Sequence, residues 1–395
     1  MSILPNFSFK NASSGLSKML LRIVNQENSL FPILKEDLQL KALSHKEQKL
    51  IKILDFAEIE KNLTVVSITN TPKDREEIAR AFIAKSVYNI QTTRDLIDRL
   101  KNDRTLRILC GWRYKSNIPS ESKFSRVFKE LSVLQIAAKT HERFVKEYLE
   151  HTIFFYNATD ATKIPLRVKP VKAKKEPIPK NKRGRPKKGE TPFSKKPTIL
   201  QQQRTMTTTK EMLSLVSTKC GVGVKQNSKG NREVWIGGKL HISAVDGDIP
   251  ITAFYSGANI HDSSVALPLM NETSQRVSYL YDLQDAGYDS NNIRDFSKKL
   301  NHRPLIDINP KNSTELKEKI ELKLEEQKKF EMLNLTQSSD THHYNQRSMV
   351  ERVNKYLKED FGCNTIYYQE ATKVASVLAF GILCVCIHQS LKLLT

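Results

Sequence analysis

Apolar and polar positions along the chain fall into three regimes. Across residues 1–150, apolar side chains recur at helical spacing in LKALSHKEQKLIKIL, TTRDLIDRLKNDRTLRILCGW and SESKFSRVFKELSVLQ, which predicts an all-helical block. In the third segment Ser120 is placed as an N-cap. Phe124, Phe128, Leu131 and Leu134 form one stripe there, and Lys123, Arg126 and Lys129 line another face. A helix of this kind packs its apolar side on a bundle and can turn its basic side to DNA phosphates, with the turn KSNIP before it giving a helix-turn-helix rhythm. A plain solvated basic face has the same pattern.

From residue 231 the period changes to that of strands. EVWIGGKLHISAVDGDIPITAFYSGA reads as two strands joined at Asp246-Gly247-Asp248. HDSSVALPLM follows as a short helix capped near Asp262, RVSYLYDLQDAGYDS as a strand entering a loop, NNIRDFSKKL as a helix and RPLIDIN as a strand. Upstream, HTIFFYNATDATKIPL is a further strand, ending near Asp160. These elements predict a mixed sheet with helices, its first strand separated from the hairpin by a long insertion. The apolar C-terminal stretch VASVLAFGILCVCIHQSLKLL is interrupted by His388, Gln389 and Lys392 and reads as a buried helix rather than a membrane anchor.

Residues 167–230 obey neither period. Between Arg167 and Lys188 stand eleven basic residues, one acid and four prolines, too little apolar surface to fold alone, so a basic linker is expected here. Within it, KRGRPKK has the core of an AT-hook: Gly184 lets the backbone lie flat, and Arg183 and Arg185 can enter a narrow A·T minor groove. The whole chain of 395 residues carries 64 Lys and Arg against 43 Asp and Glu, a formal charge of +21, which points to a polyanionic partner, double-stranded DNA by default. The five scattered cysteines, with no CxxC pair, fit free thiols in a reducing cytoplasm and argue against a zinc module. The N-terminal stretch lacks the basic and continuous apolar regions of a secretory signal and reads as mature protein.

Three acids stand out in this cationic chain. Asp160 and Asp285 each end an apolar strand, and Glu351 lies early in the amphipathic helix SMVERVNKYLKEDFG. Phosphodiester chemistry with two metal ions needs such carboxylates converging from different elements, because Mg²⁺ prefers oxygen ligands. At each position the plain alternative is a surface or strand-terminal acid, and Asp246 competes with Asp160 for the first place. Tyr344, Arg347, Glu351 and Lys358 are separated by three, four and seven residues, which places them on one helical face if the helix begins early enough. Lys239 and His241 share a strand face that could meet DNA or solvent. His261 and Asp262 could touch the site, with an N-cap role for Asp262 as the alternative, and Tyr288, Asp289 and Ser290 fit ordinary turn chemistry.

In type and spacing these four residues resemble the Tyr-Arg-Glu-Lys signature of bacterial and archaeal insertion-sequence transposases of the DDE class. NATDATKIP resembles that family's first-Asp strand, IGGKLHISAVDGDIPITAFYSGANIHDSSVALPL its Gly-Tyr-Lys-Leu-His and Ala-Asn-xx-Asp region, and DAGYDS its second-Asp loop. TRDLIDRLKNDRTLRILCGW is similar to its helical DNA-binding part, and Gly238 departs from it where an aromatic often stands before Lys-Leu-His. The resemblance implies an α/β chain: an RNase H-like mixed-sheet catalytic domain at 151–395, interrupted by the basic insertion at 167–230 and preceded by an all-α DNA-binding domain at 1–150. It implies cleavage at terminal inverted repeats and strand transfer with two Mg²⁺ ions, or Mn²⁺ in their place, held by Asp160, Asp285 and Glu351. Arg347, Lys358 and Tyr344 would face DNA, the chain would act as a homodimer on two DNA ends, and it would work in the cytoplasm at the nucleoid without a membrane. The rival is a non-catalytic or relict architectural DNA-binding protein that uses the helical block and KRGRPKK alone.

Overall fold

A computed structural model describes residues 15–25, 43–64, 73–170, 197–226, 230–310, 313–332 and 339–394. The N-terminal region is helical: α1 (Gly15–Asn25), α2 (His45–Ala57), α3 (Glu60–Thr64), α4 (Arg75–Val87), α5 (Thr93–Asn102), α6 (Arg104–Cys110), α7 (Glu121–Val133) and α8 (Ile136–Tyr148). Local chemistry sets several of these boundaries. Ser44 and Glu47 close a reciprocal capping box at the start of α2. The run TTRDLIDRLKNDRTLRILC breaks into two helices because Asp103 leaves the helical conformation and its carboxylate accepts from the Leu106 N–H, starting α6.

The remaining elements are β1 (Ile153–Pro165), α9 (Ile199–Gln203), α10 (Thr209–Ser214), β2 (Gly221–Gln226), β3 (Arg232–Val245), β4 (Ile249–Gly257), α11 (Ala266–Arg276), β5 (Ser278–Gln284), α12 (Asn291–Lys299), β6 (Arg303–Ile306), α13 (Thr314–Met332), α14 (Ser339–Asn345), α15 (Ser348–Glu359) and α16 (Ala371–Leu394). They form a mixed sheet. β1 pairs antiparallel with β3 and parallel with β5, β6 continues parallel beyond β5, and β4 pairs antiparallel with β3, giving the order β4-β3-β1-β5-β6. β2 extends the sheet as an antiparallel partner of the first half of β3.

Helices cover both faces. On one, α15 lies over β1 and β3 and α16 over β4. On the other, Ser297 of α12 donates to Asp282 of β5, whose second oxygen accepts from Asn157 of β1, and Thr273 of α11 bonds Thr252 of β4. The insertion is shorter than the expected 167–230. Residues 199–226 form α9, α10 and β2: Met212 packs into a cluster with Leu267, Met270, Ile293, Phe296 and Ile306, the Gln203 amide donates to the carbonyls of Met212 and Ser264, and β2 pairs with β3. Apolar side chains that cannot fold alone are ordered here by a neighbouring surface. KRGRPKK, with Arg183 and Arg185, lies outside the described residues.

The expected division at residue 150 coincides with the change from helix to strand, but the core does not divide there. One hydrophobic cluster runs from Met19, Phe82 and Phe128 in the helical region through Ala158, Ile242 and Ile251 of the sheet to Leu383 and Ile387 of α16. α16 is the shared spine, packed against α2, α4, α7, α8, α15 and β4. Phe380 on it lies 5.8 Å from Phe82 and 6.5 Å from Phe128, centroid to centroid. α16 is long and apolar enough to cross a membrane, yet most of its apolar stretch is buried among these elements. Gly238, the departure from the family pattern, is tightly packed: a Cβ there would stand 2.3 Å from the ring of Tyr255, which fills that space from β4.

Candidate active site

The site is assembled where β5 stops and β1 continues. The parallel pairing ends at Thr159 and Gln284, so Asp160 and Asp285 follow each other's register on strands about 5 Å apart. Asp160 does not end its strand, as its sequence suggested. β1 runs on to Pro165 because β3 continues to pair with it to Gly237. Asp285 ends β5, and its Oδ1 accepts from the Gly287 N–H, starting a single 3₁₀ turn over Ala286–Tyr288. Burial pushes the Asp160 carboxyl up to about 6; the Ala161 N–H opposes this, Asp285 adds to it, and Lys225 and Arg347 oppose it from farther off.

α15 crosses this end on the side of Asp160. Arg347, Glu351, Asn354 and Lys358 fall on one helical face. Asn354 Nδ2 donates to Asp160 Oδ2 at 3.2 Å, and Lys358 Nζ donates to Thr162 Oγ1 at 2.5 Å. Glu351 stands one helical turn before Asn354, half exposed, with its carboxylate held by Arg347 at 2.7 Å. Burial works against the charge of Arg347, but Tyr344, Glu351, Asp160 and Asp285 outweigh it and raise its pKa. Burial and the nearby Lys163 lower that of Lys358, against the pull of Asp160. The continuous helical face expected from Tyr344 to Lys358 is broken. α14 ends at Asn345, and an i to i+3 hydrogen bond from Arg347 N–H to the Tyr344 carbonyl tightens the junction before α15. Tyr344 nevertheless remains beside Arg347, whose guanidinium lies 6.0 Å from its ring centroid, and burial and a hydrogen bond to Asp307 raise its phenol.

Other candidates separate. Asp246 lies at the opposite end of β1, roughly 16 Å away along the strand, and its carboxylate accepts from the N–H groups of Phe155 and Tyr156. It fastens the hairpin turn to the first residues of β1. Asp248, in that same turn, holds Arg352 of α15 at 2.7 Å. Asp262 does not cap the following turn. His261 does so, accepting from the Ser263 N–H, and Asp262 instead binds Lys239 at 2.8 Å. His241 is buried, donates to or accepts from Ser256 at 2.8 Å, and is lowered to about 4, chiefly by burial. His241 is therefore shut away from solvent, while Lys239 is partly buried with its ammonium committed to Asp262. Asp289 pairs with Arg294 and accepts from the Asn309 N–H, a structural role in the loop.

In the helical region Phe124, Phe128 and Leu131 of α7 are buried, as the apolar stripe requires. Of the three bases, Lys123 is turned inward to Asp74 at 2.5 Å, whereas Arg126 and Lys129 are exposed. Asn354 is a site residue that sequence reading missed. Only the spacing of Asn354 from Glu351 and Lys358 on one face pointed to it.

Among the described residues no three His, Cys, Asp or Glu side chains stand close enough together to hold one metal ion. The donor set nevertheless suits a hard divalent cation. Two carboxylates converge, the buried one is pushed toward its neutral form, and the third reaches the same side on α15 while neutralised by Arg347. This arrangement has a consequence for stability. Folded Asp160 keeps its proton to about pH 6, whereas an unfolded Asp loses it near 3.8. The unfolded state therefore binds fewer protons between those values, and stability falls as pH rises through that window. Without divalent cation, the wild type should lose about 1–3 kcal/mol relative to Asp160→Asn between pH 4 and pH 6. Parallel pH profiles for the two proteins in urea unfolding would contradict the assignment.

Residues 200–387 match the family described as Transposase DDE domain, and residues 36–130 that described as Transposase domain (DUF772). Asp160 lies between the two matched stretches, while Asp285 and Glu351 lie within the first. No curated protein and no solved structure matches the chain.

Proposed function

Because the chain belongs to the DDE transposases of insertion sequences, we propose that it binds the terminal inverted repeats of its own element, cleaves a strand there and joins the freed 3′-OH to target DNA. The observation that carries this reading is the side-by-side placement of Asp160 and Asp285 beneath the cationic face of α15. The strand order supports an RNase H-like catalytic fold, with the helical region as the DNA-reading part. Asp160, Asp285 and Glu351 would hold Mg²⁺, or Mn²⁺ in its place, which supplies Lewis-acid stabilisation of the phosphodiester oxygens and activation of the attacking water or 3′-OH. Without a cation the Asp160 and Asp285 carboxylates beside DNA would repel its phosphates, and this argues against a purely architectural role.

The chain's own groups do the positioning. Arg347 and Lys358, on one face with Glu351, are placed to bind phosphates flanking the cleaved bond. Arg347 has a second task, releasing Glu351 toward the two aspartates when phosphate competes for its guanidinium. Tyr344 can stack on or hydrogen-bond a strand next to them. Arg126 and Lys129 add phosphate contacts from α7. Two ends must be held together for transfer, so a homodimer on DNA is part of the proposal, as is action at the nucleoid in the cytoplasm. Incubation with Mg²⁺ and duplexes carrying the element's flanking inverted repeats should yield nicked and joined products. Tight, sequence-selective binding of those duplexes without any product would favour the architectural alternative.

The stretch KRGRPKK offers a separate test. Changing Arg183 and Arg185 together to Ala should weaken binding more on A·T-rich than on G·C-rich duplexes, because only the former present the narrow electronegative minor groove. Equal losses in titrations at one salt concentration would leave only nonspecific attraction, with the salt slope reduced by about 0.9 per lost phosphate contact.

A further inference from the structure

Three residues beyond Asp285, the hydroxyl of Tyr288 poses a problem. The side chain is 1% exposed, its ring packed against α11 and α12, yet its oxygen has no hydrogen-bond partner among the described residues. A buried hydroxyl without a partner is costly, and a phenylalanine would fill the same space without that cost. Its surroundings are polar in charge if not in contact. Asp262, Asp160 and Asp285 are close enough to act on it, and with burial they hold the phenol firmly protonated, so that it can serve only as a donor toward anionic oxygen. The backbone fixes it in place: the Tyr288 N–H donates to the Asp285 carbonyl at 3.0 Å, and the 3₁₀ turn over Ala286–Tyr288 packs on the one over Asp262–Val265. Asp262 already has a partner in Lys239.

We propose that Tyr288 is a positioning residue of the acidic site, its hydroxyl donating to a carboxylate oxygen of the Asp160–Asp285 pair when a divalent cation is held there. The inference rests on the reading that these acids hold a cation. It explains why an orphaned donor is kept beside them: its acceptor comes into place only in the loaded site, and the hydroxyl then fixes the orientation of one acid.

Tyr288→Phe tests it without disturbing the packing. Mn²⁺ binding followed by electron paramagnetic resonance should weaken by about 10- to 100-fold, the usual effect of losing a hydrogen bond behind a metal ligand. The melting temperature of the cation-free protein should stay the same or rise, and DNA affinity should not change. Unaltered Mn²⁺ affinity in Tyr288→Phe would overturn the inference. So would a lowered melting temperature, since it would mean that the hydroxyl already has a partner in the empty site. Asp160→Asn separates the two levels. If that change leaves Mn²⁺ binding intact, or the wild type binds none, the reading of the acids fails; if Asp160→Asn abolishes binding while Tyr288→Phe does not alter it, only the role of Tyr288 fails.

Discussion

Asp160→Asn should reduce Mg²⁺-dependent strand cleavage by about 10³-fold or more while leaving DNA affinity nearly unchanged. Several kcal/mol of transition-state charge stabilisation corresponds to that loss in rate. Affinity for DNA comes from the cationic surface, which the change does not touch. Asn keeps the shape of the side chain and can still meet Asn354 Nδ2 through its carbonyl oxygen, so the packing of α15 on β1 should persist. Asp285→Asn should have an effect of the same size, and Glu351→Gln likewise. Asp246→Asn is the informative control: it loosens the turn that accepts from Phe155 and Tyr156 without reaching the site, and should cost stability rather than chemistry. Cleavage at wild-type rate by Asp160→Asn would remove the first acid from the proposal.

Phe380→Ala should destabilise the helical region and the sheet together, by about 3–5 kcal/mol, the range found for truncating a large aromatic in a packed core. Its ring joins a stack in which Phe82 and Phe128 lie 4.3 Å apart and Phe128 and Tyr368 4.7 Å apart, and no rearrangement of α16 can fill the space from both sides. The two tryptophans make the test direct, because Trp112 is buried in the helical region and Trp235 on β3. Trp112→Phe and Trp235→Phe each leave one reporter. In urea each should give a single transition, and Phe380→Ala should lower the midpoint of both by a similar amount. Separate transitions, with only the Trp112 signal shifted, would mean that the helical region folds by itself and that α16 is not the spine joining the two.

Local sequence carried a good part of this molecule. The helical spacing of the first 150 residues, the stripe Phe124, Phe128 and Leu131, the hairpin around Gly247 and the buried character of α16 were legible because each depends on the period of apolar side chains or on turn chemistry within a few residues. The position of Asp285 at a strand end was legible for the same reason, whereas the pairing with β3 that carries β1 on past Asp160 to Pro165 was not. Partnership was decided elsewhere. That Lys123 turns inward depends on Asp74, 49 residues away; that Lys239 takes Asp262 depends on how β3 lies beside the loop after β4; and that Asp246 is a fastening rather than a site acid depends on where β1 begins. Residues 199–214 are ordered against the apolar sides of α11, α12 and β6, and residues 221–226 by pairing with β3, which no reading of that segment's own composition can register. The same holds for the orphaned hydroxyl of Tyr288. Sequence by itself determined which elements this chain builds and which side chains could do chemistry. Only the tertiary structure decided which of those side chains meet, since a contact between distant residues is fixed by the packing of whole elements and the burial of charge between them, not by the neighbours along the chain.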